Sequence, residues 1–210
     1  SERIVKYLAE DRLRSKIARD LHDEIGSTLT SINILSKVAM QQGLEDDKVR
    51  GYLQKIKDNS GNIMERMSDI VWAINPVNDS FDKVILRMKE LAAEMLEPAG
   101  INYYFNEEGS LDKTQLNLEQ RKDIYLVFKE AINNAVKYSK ATEVNIVLQK
   151  KNDSLKIIIM DNGEGFNAEA GYPGNGLKNM QSRAATMNAV LRIDSIKGTG
   201  TTIALEVIIT

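Results

Sequence analysis

The sequence predicts an all-α helical hairpin, suited to a dimeric four-helix bundle, followed by an α+β sandwich. Three features of the chain predict it. Before Pro76, apolar residues recur every three or four positions; after it, short apolar runs read as strands, and glycines gather in three clusters. A period near 3.6 belongs to helices and a period of two to strands, so the change of period marks a change of architecture. The expected organisation is a helical domain over residues 1–75, a linker over 76–80 and a second domain over 81–210.

Ile17, Leu21, Ile25, Thr28, Ile32 and Leu35 step by four and three along one helix face. With Ile4, Leu8 and Leu13 ahead of them, this helix is expected to run from near the start to Gly43. That is about 40 residues, or ~60 Å, too long for a lone helix on a small domain. Val49, Leu53, Ile56, Ser60, Ile63, Met67, Ile70 and Ile74 form a second stripe, joined to the first by a polar turn around Gly43 to Asp47. One such hairpin leaves an apolar flank uncovered, and a second copy would cover it. A monomeric helical domain or a passive coiled-coil spacer has the same periodicity.

Pro76 lacks an amide donor and restricts Asn75 before it, so it ends the second helix. Ser80 is a candidate cap for a helix through Leu96, which Pro98 and Gly100 stop. Ile101 to Phe105 reads as a strand, and Leu118 to Tyr138 as a helix capped by Asn117. Glu143 to Leu148 and Leu155 to Met160 read as strands joined by a turn over Lys151 to Ser154. A short helix near Leu177 to Met187 and two further strands close the chain. An open mixed sheet covered on one face by helices follows.

Composition narrows the function classes. The 210 residues suit one large domain or two small ones. A hydrophobic fraction of 42% and a charged fraction of 28% are ordinary for a soluble globular chain. The net charge of −2, with both signs interspersed, exerts no strong pull on nucleic acid or anionic membrane, and no direct nucleic-acid binding is expected. No cysteine is present, which excludes disulfides and thiolate metal sites, and a single histidine excludes a His-rich site. No run approaches the roughly 18 apolar residues of a membrane span, and no signal peptide opens the chain. Starting inside a helix, the sequence reads as a soluble piece of something longer.

The glycine clusters are Asp161-Asn-Gly-Glu-Gly165, Gly174-Asn-Gly176 and Gly198-Thr-Gly-Thr201. Glycine lets backbone amides approach a phosphate, but it also serves loops for purely conformational reasons. Neither the dinucleotide fingerprint nor the Walker A loop is present. On the helix upstream, Glu130, Asn134 and Lys137 are spaced by four and three and share one α-helical face. A carboxylate and an amide oxygen suit Mg²⁺, and a lysine suits a phosphate. An ordinary solvated Glu–Lys face would look the same.

The segment Lys129-Glu-Ala-Ile-Asn-Asn-Ala-Val-Lys137 resembles the N box of the GHKL ATPase superfamily, and the glycine clusters resemble its G1, G2 and final glycine boxes in order. Over about Asn117 to Thr210 this resemblance implies the Bergerat ATP-binding fold. It implies that Asp161 accepts the adenine amino hydrogen, with Thr201 beside it, while Gly163 and Gly165 let the backbone curve round the base. Asn134 coordinates Mg²⁺ on that reading, Glu130 supports the metal or its waters, and Lys137 contacts phosphate. Gly174 and Gly176 hinge a lid whose helix begins at Leu177. Tyr138 stands where relatives often carry histidine.

Arg19-Asp-Leu-His-Asp-Glu-Ile-Gly26 resembles the phosphoacceptor box of histidine kinases with a His-Asp pair, and Asp69-Ile-Val-Trp-Ala-Ile-Asn-Pro76 resembles the end of their second dimerisation helix. The resemblance implies a homodimeric kinase that uses ATP and Mg²⁺ to phosphorylate His22 and then a response regulator, usually of the helix-turn-helix class. It implies a cytoplasmic core whose parent is anchored in the cell membrane by an upstream segment. The residues agree: His22 follows the stripe residue Leu21 by one position, about 100° round the helix, so it belongs at the bundle surface. Imidazole is nucleophilic when neutral and titrates near pH 6.5. Asp23 or Glu130 would take its proton. Gly26, one turn on, costs the helix ~1 kcal/mol relative to alanine; it fits either an approaching ATP domain or close helix packing. Such kinases often carry glutamine five residues after the histidine to orient water during dephosphorylation, and Ser27 stands there instead. An ATP-driven clamp, or a scaffold with a degenerate nucleotide site, is the alternative class.

Overall fold

The computed structural model describes residues 25–38, 46–75, 78–111, 114–167 and 175–209. The chain divides into two compact units, Ser1–Asn75 and Pro76–Thr210. In the first, residues 25–38 form helix α1 and Asp46–Ile74 form helix α2. Ile25, Thr28, Ile32 and Leu35 of the expected stripe are half-buried, whereas Leu29 and Ile34 are exposed. On α2, Val49, Ile56, Ser60, Ile63 and Ile70 are half-buried, but Leu53 and Met67 of the expected stripe remain exposed. His22 and Asp23 lie outside the described residues, as does the expected first part of the helix. No helix among the described residues is long and apolar enough to cross a membrane.

The second unit begins with α3, Phe81–Leu96, whose buried Phe81, Val84, Ile85, Met88, Ala92 and Leu96 step by about one turn. Ser80 occupies its N-cap position in extended backbone, although its hydroxyl makes no capping bond. The helix ends before Pro98; Gly100 takes φ +70°, and the Ile101 amide returns to the Leu96 carbonyl at 3.0 Å. Strand β1, Asn102–Glu108, follows. Helix α4, Leu118–Asn134, starts in a reciprocal cap: the Gln120 amide donates to Asn117 Oδ1 at 2.8 Å, and the Asn117 amide donates to Gln120 Oε1 at 3.0 Å.

The helix expected through Tyr138 is α-helical only to Asn134; Ala135–Ser139 form a π turn, closed by Lys140 at φ 53°. The Ser139 hydroxyl donates to the Ala135 carbonyl at 2.5 Å and accepts the Ala141 amide at 2.9 Å, which satisfies polar groups that the wider turn frees. Strands β2, Glu143–Lys151, and β3, Ser154–Asp161, form a hairpin with Asn152 at φ 54° in its turn. Helix α5, Asn175–Thr186, and strands β4, Val190–Ile196, and β5, Gly200–Ile208, complete the unit.

The five strands lie in the order β1-β2-β3-β5-β4, parallel between β1 and β2 and antiparallel elsewhere. In β2 and β3 alternate residues are fully buried, so one sheet face packs on apolar side chains. Ile146, Leu148, Leu155, Ile157 and Leu205 from the sheet join Met88, Ile124, Phe128, Ile132 and Met180 from the helices in one core. Phe105 of β1 meets Phe128 of α4 edge to face at 6.3 Å between centroids. Buried Arg121 donates to the carbonyls of Leu116 and Asp79 at 3.0 and 3.1 Å, and pairs with the Asp79 carboxylate at 2.5 Å. Residue 79, in the expected linker, is thereby fastened to α4.

Candidate functional site

Asp161 ends β3 opposite Thr201 of β5, so sheet register alone brings these two expected site residues together. Asp161 is half-buried, and its Oδ1 accepts the Gly163 amide at 2.9 Å. Burial pushes its carboxyl above the ordinary range; the backbone N–H groups of Gly163 and Thr201 that donate to it pull the other way without cancelling the effect. A carboxylate so placed is poised to accept from a ligand, which would restore interactions lost to burial.

The loop beyond it is held at both ends. Gly163 is buried against the end of the π turn: a β-carbon there would come within 2.7 Å of Ser139 Cβ and closer still to the Ser139 carbonyl oxygen. That carbonyl accepts the Glu164 amide at 2.7 Å, so it cannot simply move aside. Gly163→Ala is therefore expected to destabilise the fold by about 1–3 kcal/mol, read as a lower urea midpoint. An unchanged midpoint would mean that the loop yields freely.

Gly165 takes φ +56°, and the Gly198 amide of the last glycine cluster donates to the Glu164 carbonyl at 2.6 Å. Sequence reading missed three supports of this loop. Asn162 Oδ1 accepts the amides of Thr142 and Glu143, each at 2.9 Å. The Ser195 hydroxyl accepts the Phe166 amide at 2.8 Å and lies 2.9 Å from Thr201 Oγ1. Ser139 is the third. An Asn-Gly pair after a strand does signal a side chain that bonds nearby backbone; nothing local signals that the Ser139 carbonyl takes the Glu164 amide or that the Ser195 hydroxyl takes the Phe166 amide.

Glu130 and Asn134 are half-buried on the last turns of α4, and Lys137 and Tyr138 are exposed on the π turn. The wider turn takes Lys137 off the α-helical row on which the spacing placed it. Gly176 also differs from expectation. Helix α5 begins at Asn175, so Gly176 lies within its first turn and Leu177 is already a buried helix residue. A β-carbon on Gly176 would come within 3.0 Å of Glu130 Cδ and closer to Oε1, the free end of a flexible side chain. The residue brings the start of α5 against the Glu130 carboxylate. Gly174 lies outside the described residues. Among the described residues, no three acidic, histidine or cysteine side chains converge as a metal site.

Residues 119–209 match a family model described as histidine kinase-, DNA gyrase B- and HSP90-like ATPase, and residues 14–79 match one described as histidine kinase. The chain is 26% identical over 196 residues to the sensor histidine kinase LiaS of Bacillus subtilis, covering 92% of this chain and 53% of LiaS. It is 26% identical over 206 residues to the signal transduction histidine-protein kinase/phosphatase UhpB of Salmonella typhimurium, covering 98% of this chain and 40% of UhpB. The chain thus spans about half the length of the curated relatives it matches. Among solved structures, the Acinetobacter baumannii histidine kinase AdeS aligns with a TM-score of 0.59 at 15% identity, over 89% of this chain and 98% of that one. ShkA, solved full-length in complex with AMPPNP, aligns with a TM-score of 0.60 at 14% identity, over 93% of this chain and 46% of that one. These likenesses show the fold: a helical region followed by a GHKL-type ATPase sandwich.

Proposed function

Since the chain belongs to the histidine kinases of two-component systems, as a catalytic core of that family, we propose that it moves the γ-phosphoryl group of ATP onto His22 and then onto an aspartate of a response regulator. The observation that carries this reading is the half-buried Asp161 carboxylate, held by two backbone amides beside a loop that leaves no room for a side chain. Asp161, Thr201 and the backbone of Gly163 and Gly165 take the adenine; Lys137, Tyr138, Gly174 and the first-turn amides of α5 at Gly176 and Leu177 take the phosphate end. Asn134 and Glu130 would hold Mg²⁺, which when bound neutralises triphosphate charge.

His22 Nε2 attacks the γ-phosphorus in line; the N–P bond forms, the bridging P–O bond breaks, and ADP leaves. Asp23 or Glu130 takes the imidazole proton. The N–P bond then breaks in favour of a carboxylate oxygen on a regulator, which we assign to the helix-turn-helix DNA-binding class. The parent protein is read as membrane-anchored, with this core in the cytoplasm. Labelled ATP with Mg²⁺ tests the reading: retained phosphate, stable in alkali and labile in acid, is expected at His22. Hydrolysis with no phosphate retained would make the chain an ATP-driven clamp instead.

The exposed Leu29, Leu53, Met64 and Val71 are read as the face of a homodimer. Ile32→Lys or Ile63→Lys would bury a charge with no partner in the bundle, and each is expected to yield monomers in sedimentation at micromolar concentration. A parent protein that is itself monomeric would contradict this.

Ser27 is exposed on α1. It is shorter than glutamine, and positioning a water tolerates little displacement. Weak phosphatase activity follows, although the relative UhpB is named a kinase/phosphatase. Ser27→Gln is expected to speed regulator dephosphorylation, or leave it equal, with autophosphorylation little changed. Rapid dephosphorylation by the parent, unchanged in Ser27→Ala, would defeat this.

A further inference from the structure

Asp123 is 2% exposed, and a buried carboxylate is costly unless paired. Its Oδ1 accepts from Arg183 Nη1 of α5 at 2.8 Å, with Lys122 Nζ farther off at 3.5 Å. The pair joins α4 to α5 at one level, and Gly176 on Glu130 joins them at another. Asp123 and Glu130 stand seven residues apart, and so do Gly176 and Arg183, in the opposite chain direction. The two helices therefore run antiparallel, with contacts two turns apart on each, at matching heights roughly 10 Å apart.

Apolar packing does not fix that register well. The buried face of α5 consists of Leu177, Met180 and Ala184, and apolar contact carries no direction of its own. A directional ion pair whose carboxylate is buried, its guanidinium partner 38% exposed, resists a slide along α4, because Asp123 would lose its closest partner. We infer that Asp123 and Arg183 are positioning residues that pin α5 in register, so that glycine 176 and no bulkier neighbour meets the Glu130 carboxylate. A slip of one turn brings the side chain of Met180, four residues on and on the same buried face, to that place and displaces the carboxylate. The inference rests on the reading of Glu130 as part of the nucleotide site.

The test is the double variant Asp123→Leu/Arg183→Met in the whole chain. Removing both partners leaves no buried charge unpaired, and Arg183 is partly exposed, so the thermal midpoint should change little. Amide hydrogen exchange over residues 175–180 should quicken without nucleotide. The rate of autophosphorylation should fall about 10- to 100-fold, with KM for ATP within about threefold, because misplacement of a catalytic group acts on rate. Exchange and rate both at parental values would overturn the pin, as would a rate loss that merely tracks a loss of stability. Should the double variant fail to fold, Asp123→Asn keeps the shape and is read in the same way. If the parent shows no autophosphorylation, the kinase reading fails, and the exchange experiment still decides the pin.

Discussion

His22→Gln is expected to reduce incorporation of phosphate from ATP to background while leaving ATP affinity within about threefold. The loss is complete because the substitution removes the acceptor atom. An amide nitrogen shares its lone pair with the carbonyl and cannot replace a neutral imidazole as nucleophile. Affinity is spared because residue 22 is not among the residues proposed to take the adenine or the phosphates, so the nucleotide keeps its own contacts. Labelled ATP measures the first quantity and a nucleotide titration the second. Labelling at the parental rate would place the acceptor elsewhere. Mixing His22→Gln chains with Asn134→Ala chains would also show whether one protomer phosphorylates its partner, since only transfer between chains restores label.

What the sequence made legible was what depends on periodicity and local chemistry. The alternation in β2 and β3, the Asn117 cap and the arrest of α3 before Pro98 all rest on neighbours a few residues apart. The pairing of Asp161 with Thr201 could be expected only through resemblance, because register between β3 and β5 is a long-range property. Lys137 was misplaced on its helix face because a 3.6-residue period was extended through Ala135–Ser139, where the backbone takes a π turn. The hinge expected at Gly176 comes from the resemblance; the structure places this residue in the first turn of α5, where it carries no side chain against Glu130. Asp123 and Arg183 gave no signal at all. Sixty residues separate them, and each alone looks like a charged residue on a helix.

Asp161→Asn is expected to weaken ATP binding about 5- to 150-fold, the equivalent of about 1–3 kcal/mol for an unmatched buried polar group. The geometry makes the direction specific. Oδ1 is already engaged by the Gly163 amide, so an asparagine keeps its oxygen there and turns Nδ2 to the ligand, a donor against the adenine amino group, which also donates. The apo protein should respond in the opposite sense. The folded-state pKa of Asp161 is raised by burial, so the native state binds its proton more tightly than the unfolded chain does. Stability from this group is present below the ordinary carboxylate pKa and is lost as pH rises through the raised folded value. At neutral pH the ionised carboxylate therefore costs stability, and the neutral amide removes that cost. Thermal melts of nucleotide-free Asp161→Asn above pH 7 should show a midpoint equal to or above the parent's. Below about pH 4 the two proteins should converge, because the parent's carboxyl is then protonated. A variant that melts lower at neutral pH and still binds ATP like the parent would refute both the adenine assignment and the electrostatic account.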